Sequence, residues 1–336
     1  MITVLRGERS MSEKPLAISV GCPCGIGPEI AVKAADSSPL PYWLVGDRTQ
    51  LLEIAKANQL AIDPERIVQP TRDLAHGDRS PGKPTPASGA AQLAWIDTAL
   101  DLVTSGSASA IVTGPVSKDV IAHSGAPRSE GFKGHTEYLQ ERLGAEEVIM
   151  SFWSEKLVTS LVTTHLPLSR VPSAITPEKV ASAAYWLAWL LGRLNPHKSS
   201  PNRVAIAGLN PHAGESGLLG SEEQTVIEPG LQLARARSSR SQLSTIFVGP
   251  LGAETAFRLG AAGELDGVVA MYHDQATIPM KLLSFGDAVN VSLGLPVIRT
   301  SVDHGTAYDR AGRGTADPSA MRAAMVLAHR LTEHDR

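Results

Sequence analysis

The sequence predicts an α/β protein whose strands are mostly parallel. Short apolar runs alternate along the chain with longer segments of helical periodicity. The 336 residues suffice for two domains or one large one, and the 43% hydrophobic content suits a soluble globular core. Parallel strands that are joined through helices produce this alternation.

The strands are predicted from runs of four to seven residues. These are LAISV at 16–20, YWLV at 42–45, SAIVT at 109–113, VTSLVTT at 158–164, RVAIAG at 203–208 and GVVAMY at 267–272. Helices are predicted over 88–104 and 176–195, the second with Thr176 as N-cap and Pro177 at its first position. The Gly/Pro/Ser-rich stretch 76–90 predicts a loop.

Charge and hydropathy exclude several partners. The 34 acidic and 31 basic residues nearly balance, which disfavours binding to nucleic acid or to an anionic membrane. The basic cluster of Arg235, Arg237 and Arg240 is interpreted as the solvated end of a helix. There is no apolar run of roughly 18 to 20 residues and no N-terminal signal core, so we expect a cytoplasmic protein with no membrane contact.

The first predicted strand leads into the glycine-rich turn GCPCGIGPEI. Gly25 and Gly27 permit close backbone approach to a ligand, although the turn lacks the G-x-G-x-x-G pattern. Cys22 and Cys24 are the only cysteines, too close together to bridge distant segments and without a second pair for a tetrahedral metal site. They are interpreted as small residues lining a tight loop.

Two further loops, TGPVSK at 113–118 and GHTEYL at 134–139, place hydroxyl groups beside a cation or an imidazole. Such loops hold phosphate on backbone N–H groups and hydroxyls at a helix N-terminus. Equally, Ser117 or Thr136 could cap the helix that follows.

Three histidines follow three predicted strands directly: His165, His212 and His273. If those strands are parallel neighbours, the histidines meet at one edge of the sheet. Three imidazoles with open coordination positions are typical of a catalytic transition-metal site.

Seven segments carry a resemblance to a known family: GIGPEI, VTGPVSK, GHTEYL, TTHLPL, GLNPHAGE, MYHDQ and VNVSLGLPVIRTSVDHGTAYDRAGRG. Their order and approximate spacing resemble the 4-hydroxythreonine-4-phosphate dehydrogenase (PdxA) family, over about Leu16 to Leu331. GIGPEI and HGTAYDRAGRGTADP at 304–318 are also similar to the metal-dependent decarboxylating dehydrogenases of the isocitrate and isopropylmalate dehydrogenase class.

The resemblance implies two α/β/α domains with the active site in the cleft between them, one domain formed by 1–130 and 305–336 and the other by 131–304. It also implies a homodimer with active sites shared between subunits. The implied site has metal ligands His165, His212 and His273, the last from the neighbouring subunit, substrate contacts His135, Thr136, Lys281, Asn290 and Arg299, and cofactor contacts His304, Gly305, Thr306 and Ala307.

The implied reaction is oxidation of 4-phosphohydroxy-L-threonine by NAD, with NADP as the alternative cofactor, and it uses one divalent ion of zinc, magnesium or cobalt. The product, 2-amino-3-oxo-4-phosphooxybutanoate, decarboxylates to 3-amino-2-oxopropyl phosphate, a step of pyridoxal phosphate biosynthesis. Lys281, or a water held by His135, is the expected proton acceptor. Open alternatives are a dehydrogenase of D-threonate or D-erythronate 4-phosphate or of a cyclic dihydrodiol dicarboxylate, and a non-catalytic metal-binding homologue.

The sequence departs from the family pattern at three positions. Cys22 and Cys24 stand where an acidic residue and an alanine are usual, and Glu254 stands where aspartate is usual. These departures bear on substrate identity rather than on the metal and hydride chemistry.

Overall fold

An eleven-stranded sheet forms the centre of the computed structural model, which describes residues 14–36 and 38–333. The ends of the predicted first domain, 1–13 and 334–336, lie outside the described residues. The strands are β1 (Leu16–Ser19), β2 (Tyr42–Val45), β3 (Ile67–Val68), β4 (Ala110–Thr113), β5 (Ile149–Trp153), β6 (Val158–Leu161), β7 (Asn202–Ala207), β8 (Thr245–Leu251), β9 (Gly267–Ala270), β10 (Val289–Leu293) and β11 (Arg299–Val302).

The strand order is β3-β2-β1-β4-β11-β10-β5-β6-β9-β7-β8. Among the described strands, antiparallel pairing occurs where β10 meets β11, where β10 meets β5 and where β5 meets β6. The remaining neighbours are parallel. The prediction of an α/β protein with mostly parallel strands is therefore confirmed.

Helices cover both ends of this sheet. They are α1 (Gly27–Asp36), α2 (Arg48–Ala57), α3 (Pro86–Thr104), α4 (Lys118–Ala122), α5 (His135–Leu143), α6 (Val171–Ala174), α7 (Pro177–Leu194), α8 (Glu228–Arg240), α9 (Ala253–Ala261), α10 (His273–Leu283) and α11 (Ser319–Thr332). Thr176 caps α7 as predicted, since its side chain accepts a hydrogen bond from the Lys179 N–H. Within the described residues, no helix is long and apolar enough to cross a membrane.

Two local predictions were wrong in part. The loop predicted over 76–90 ends early, because Thr85 and Ser88 form a reciprocal capping box that starts α3 at Pro86. The basic cluster on α8 is not simply a solvated helix end. The Arg237 guanidinium is 3.9 Å from the Tyr185 ring centroid and forms an ion pair with Glu147, so it packs between α7 and α8.

The two faces of the central strands differ in character. On one face the Thr300 hydroxyl donates to the Ala324 carbonyl of α11, and the Ser160 hydroxyl donates to the Ala183 carbonyl of α7. These two helices bury that face in the main hydrophobic core. The opposite face is left to carry the polar groups described next.

Candidate active site

Four polar residues form a row across the middle of the sheet. The strand register aligns Ser19 with Thr113, Thr113 with Ser301, and Ser301 with Asn290. Directly aligned residues point to the same face of a sheet, so all four lie opposite the face that α11 covers. The Ser19 hydroxyl and the side-chain amide oxygen of Asn290 (Oδ1) are buried and have no partner among the described residues. Unpaired buried polar atoms in a row are suited to a polar ligand.

Arg299 is a buried cation on this face, with 4% of its surface exposed. Its guanidinium donates to the Ser292 hydroxyl at 2.9 Å and to the Thr113 hydroxyl at 2.7 Å, while its Nε is buried and unpaired. It forms no ion pair within the described chain. Burial lowers the pKa of Arg299 to about 10, so the group stays charged at neutral pH. The Glu137 charge acts to raise the pKa of Arg299 but makes no ion pair with it, so an anionic ligand in direct contact would offset the cost of burying this cation.

The N-terminus of α5 lies beside this cation. Gly134 precedes the helix and gives no side-chain cap, and the Thr136 hydroxyl contacts the Ser292 hydroxyl at 3.4 Å. Ser117 also makes no capping bond to α4, because its hydroxyl donates to Asp119. The capping alternative is therefore wrong for both residues. The uncapped N–H groups of α5 are suited to an anion.

His135 begins α5 and is neutral at physiological pH. Its Nε2 is buried without a partner among the described residues. Burial, and then the positive charges of Arg299 and Lys118, hold the pKa of His135 well below its usual value. A neutral imidazole can position a hydroxyl group or a water, but it does not add a charge for phosphate.

Two of the three predicted metal ligands are neighbours within one chain. β6, β9 and β7 are parallel and adjacent, so the residues that follow them share one sheet edge, as the sequence predicted. The rings of His165 and His273 have centroids 5.3 Å apart. His212 does not join them, because the described part of the chain holds no cluster of three or more His, Cys, Asp or Glu side chains placed for one metal ion.

His212 lies in a turn of left-handed backbone. Positive φ angles occur at His212 (52°), Ala213 (54°), Glu215 (46°) and Ser216 (58°), a conformation that costs non-glycine residues energy. The buried Glu223 carboxylate fixes the start of this turn. It accepts hydrogen bonds from the backbone N–H of residues 209 and 210, both at 2.8 Å.

Lys281 and Asp303 form the next part of the site. The Lys281 Nζ is 3.8 Å from the Asp303 Oδ2. Burial raises the pKa of Asp303, while the nearby Lys281, His273 and His304 act to lower it. Asp303 and Lys118 were not singled out as site residues from the sequence. The signal for Asp303 was its position directly before His304 in the motif TSVDHGTAYD, and the signal for Lys118 was its place in TGPVSK.

The predicted cofactor residues lie against the glycine-rich turn. The Ile26 N–H donates to the Thr306 carbonyl at 2.9 Å. A Cβ on Gly25 would lie 2.7 Å from that same carbonyl oxygen, which explains the glycine. His304 is exposed, and its Nδ1 is 3.0 Å from the Gly305 carbonyl. Residues 304–307 and the N-terminus of α1 thus form one surface at which a dinucleotide could bind.

Glu254 lies in the first turn of α9, where its carboxylate is 3.5 Å from the Arg258 Nε and mostly exposed. This ion pair within one helix gives the residue a local role. No described contact links its side chain to the polar row or to the histidine pair.

A mostly parallel α/β fold with a buried cation, a histidine pair and a glycine-rich turn defines an α/β protein with a site for an anionic ligand. Comparison with known proteins narrows the class further. A sequence model described as pyridoxal phosphate biosynthetic protein PdxA matches residues 36–328. The chain belongs to the PdxA family.

Individual relatives agree with this family. The chain is 43% identical to a 4-hydroxythreonine-4-phosphate dehydrogenase of Aromatoleum aromaticum, over 93% of this chain and 95% of the relative. A solved 4-hydroxythreonine-4-phosphate dehydrogenase of Klebsiella pneumoniae is 32% identical, with a TM-score of 0.79 over 95% of this chain and 100% of that one. A terephthalate 1,2-cis-dihydrodiol dehydrogenase of Burkholderia xenovorans LB400 is 30% identical, with a TM-score of 0.66 over 95% and 98%.

Proposed function

We propose that this chain oxidises 4-phosphohydroxy-L-threonine with NAD in a metal-dependent reaction, and that the oxidised product loses CO2 to give 3-amino-2-oxopropyl phosphate. Family membership supports the reaction type. The observation that carries the substrate class is the buried Arg299, which stays charged and makes no ion pair with a carboxylate in the described chain.

Arg299 and the N-terminus of α5 are proposed to bind the anionic groups of the substrate. The guanidinium has an unpaired Nε, and the uncapped backbone N–H groups at the start of α5 lie beside it. Charged hydrogen bonds of this kind are among the strong ones in proteins. Asn290 and Thr136 line the same face and would orient the hydroxyl and amino groups of the substrate.

The donor set suits a divalent transition metal, although one chain does not complete it. The proposed ligands are His165 and His212 of one subunit and His273 of the neighbouring subunit, as the resemblance implies. Within one chain the ring centroids of His165 and His273 are 5.3 Å apart, and His212 follows the neighbouring parallel strand. When bound, the metal would lower the pKa of the substrate hydroxyl and stabilise the enolate that decarboxylation leaves. Zinc, cobalt and magnesium are the ions proposed, the first two favoured by imidazole ligands.

The protein's own contribution to proton transfer is assigned to Lys281 and His135. Lys281 lies 3.8 Å from Asp303, and this carboxylate would fix the orientation of the lysine. The neutral His135 would hold a water as the second route for the proton. Hydride would pass to NAD held by His304, Gly305, Thr306 and Ala307. NADP remains an alternative, since the residue that reads the ribose 2′ position is not assigned.

We also propose that the active unit is a homodimer whose subunits share the active sites. Large apolar side chains are exposed along α10 and just beyond it: Ile278 (58% exposed), Leu282 (82%) and Phe285 (86%). Leu166 and Leu168 add exposed apolar surface directly after His165. A patch that begins beside the histidine pair is suited to a second copy, which would also complete the metal site.

Three alternatives make distinguishable predictions. A D-threonate or D-erythronate 4-phosphate dehydrogenase would keep Arg299 and the α5 N-terminus, because its substrates are also anionic phosphates. A dihydrodiol dicarboxylate dehydrogenase is supported by the structural relative from Burkholderia xenovorans LB400 and would turn over a dihydrodiol rather than a phosphate. A non-catalytic metal-binding homologue would bind the ion without turnover.

The deciding experiment is NADH formation with each of these substrates at equal concentration. Preference for 4-phosphohydroxy-L-threonine supports the proposal, and preference for a sugar-acid phosphate or a dihydrodiol replaces it. Arg299→Met should then lower kcat/KM by about 10²-fold or more, since it removes a charged hydrogen bond that desolvation strengthens. The matched control is Arg258→Met on the exposed face of α9, which should have little effect.

A further inference from the structure

The glycine-rich turn carries both cysteines of the chain, buried and free of any disulfide. The Cys22 Sγ is 3.4 Å from the Tyr308 hydroxyl. The Cys24 Sγ donates to the carbonyl oxygens of Asp78 at 3.3 Å and Lys83 at 3.5 Å. Each thiol therefore joins the turn to a different segment, and the first of these segments directly follows the cofactor residues 304–307.

The backbone holds the two cysteines within disulfide reach. The Gly25 N–H donates to the Cys22 carbonyl at 3.1 Å, which closes a four-residue turn with Pro23 at its second position. Cα atoms two residues apart are separated by at most about 7 Å even in an extended chain, and a turn brings them closer, towards the range of about 4.4 to 6.8 Å that a disulfide spans. Rotation of the two side chains would be enough to bring the sulfur atoms together.

The two thiols differ in acidity. Hydrogen bonds from the Cys24 thiol, the Tyr308 hydroxyl and the backbone N–H groups of residues 24 and 25 lower the pKa of Cys22 to about 7, against the opposing effect of burial. The hydrogen bond to the Cys22 sulfur, and then burial and the charge on Cys22, raise the pKa of Cys24. Cys22 thus has the more acidic thiol of the pair, the one at which thiol oxidation followed by internal exchange begins. Both side chains are fully buried, so a peroxide reaches them when the turn opens locally.

We propose that Cys22 and Cys24 form an oxidation site at which a hydroperoxide converts the pair reversibly into a disulfide. The Cys22 thiolate attacks the peroxide oxygen, the O–O bond breaks, and a sulfenic acid and hydroxide (or an alkoxide) form. The Cys24 sulfur then attacks the sulfenic sulfur. Its proton leaves with the sulfenic hydroxyl as water, so the two thiols lose two electrons and the peroxide gains two.

Oxidation would loosen the cofactor surface. The disulfide removes the Cys22 contact with Tyr308 and the Cys24 bonds to the carbonyls of Asp78 and Lys83, which tie the turn to its neighbours. The Ile26 to Thr306 hydrogen bond lies directly beside this turn. We therefore expect weaker NAD binding, a consequence that rests on the proposed function, whereas the thiol chemistry does not.

The test uses purified wild-type protein with the matched variants Cys22→Ser and Cys24→Ser, treated with hydrogen peroxide at pH 7 and analysed by mass spectrometry. Wild type should lose both thiols together and recover them with dithiothreitol. Cys24→Ser should form a sulfenic acid that dimedone traps, about tenfold faster than Cys22→Ser loses its thiol, because only the former retains the thiolate. Retention of both wild-type thiols under conditions that oxidise N-acetylcysteine, or equal rates in the two variants, would overturn the proposal.

A second measurement, separate from the first, follows the KM for NAD before oxidation, after it and after reduction. A severalfold reversible increase supports the effect on the cofactor surface. An unchanged KM in fully oxidised protein would overturn that consequence while leaving the oxidation site established.

Discussion

The left-handed turn at His212 depends on one buried carboxylate, and replacing Glu223 tests this directly. The carboxylate accepts from the N–H groups of Leu209 and Asn210 and from the Asn210 side-chain amide at 3.0 Å. Hydrogen bonds to a charged group contribute about 1.5 to 3 kcal/mol each, and they are not additive. Glu223→Ala leaves two backbone N–H groups without this acceptor, at about 1 to 3 kcal/mol apiece.

We expect Glu223→Ala to lower the free energy of unfolding by about 3 to 4 kcal/mol and Glu223→Gln by about 1 to 2, because glutamine keeps one acceptor oxygen. The assay is urea unfolding monitored by circular dichroism, with zinc titration by calorimetry as a second readout. Glu222→Gln is the matched control, since this neighbour bonds the Asn210 side-chain amide but is not the acceptor for the backbone N–H groups of residues 209 and 210. If the free energy of unfolding of Glu223→Ala lies within about 0.5 kcal/mol of that of wild type, the Glu223 carboxylate does not hold the turn.

Three further outcomes follow from the same structure. Because the folded pKa of His135 lies below its unfolded value of about 6.5, the unfolded chain binds the extra proton, so stability falls as the pH drops below about 7. His135→Asn should flatten this part of the stability curve, and an unchanged curve would show that His135 is not the group responsible. Lys281→Met should lower kcat by about 10²-fold or more as expected for a proton acceptor, whereas a higher KM at constant kcat would make the lysine a binding group. Leu282→Asp should shift the protein towards monomer in analytical ultracentrifugation, whereas the same substitution at the exposed Leu233 should not. A dimeric Leu282→Asp protein would place the interface elsewhere.

The sequence predicted the fold where the signal was local. Six apolar runs became strands, and the parallel neighbours β6, β9 and β7 brought the residues after them to one edge. The antiparallel strands β10 and β11 were not separated as strands, although Asn290 and Ser292 alternate there with buried Val289 and Val291. This alternation with a period of two indicates a strand, but the segment was interpreted only for its binding residues.

Other features of the site depend on contacts between distant residues. The burial of Arg299 without an ion pair among the described residues follows from the pairing of β10, β11 and β4, and no spacing along the chain encodes it. The left-handed turn at His212 runs through residues that rarely adopt positive φ, and the Glu223 that fixes it comes eleven residues later in sequence. The division into two domains, the dimer and the ligand roles of the three histidines remain predictions.

The most direct test of the proposed function is NADH formation from 4-phosphohydroxy-L-threonine by protein stripped of metal with a chelator and then resupplied with zinc, cobalt or magnesium. We predict no turnover by the stripped protein, recovery with at least one of these ions, and release of CO2 in equal amount to NADH. Equal turnover before and after stripping would contradict metal dependence. No turnover with any ion, by protein that binds the metal, would contradict the assigned substrate.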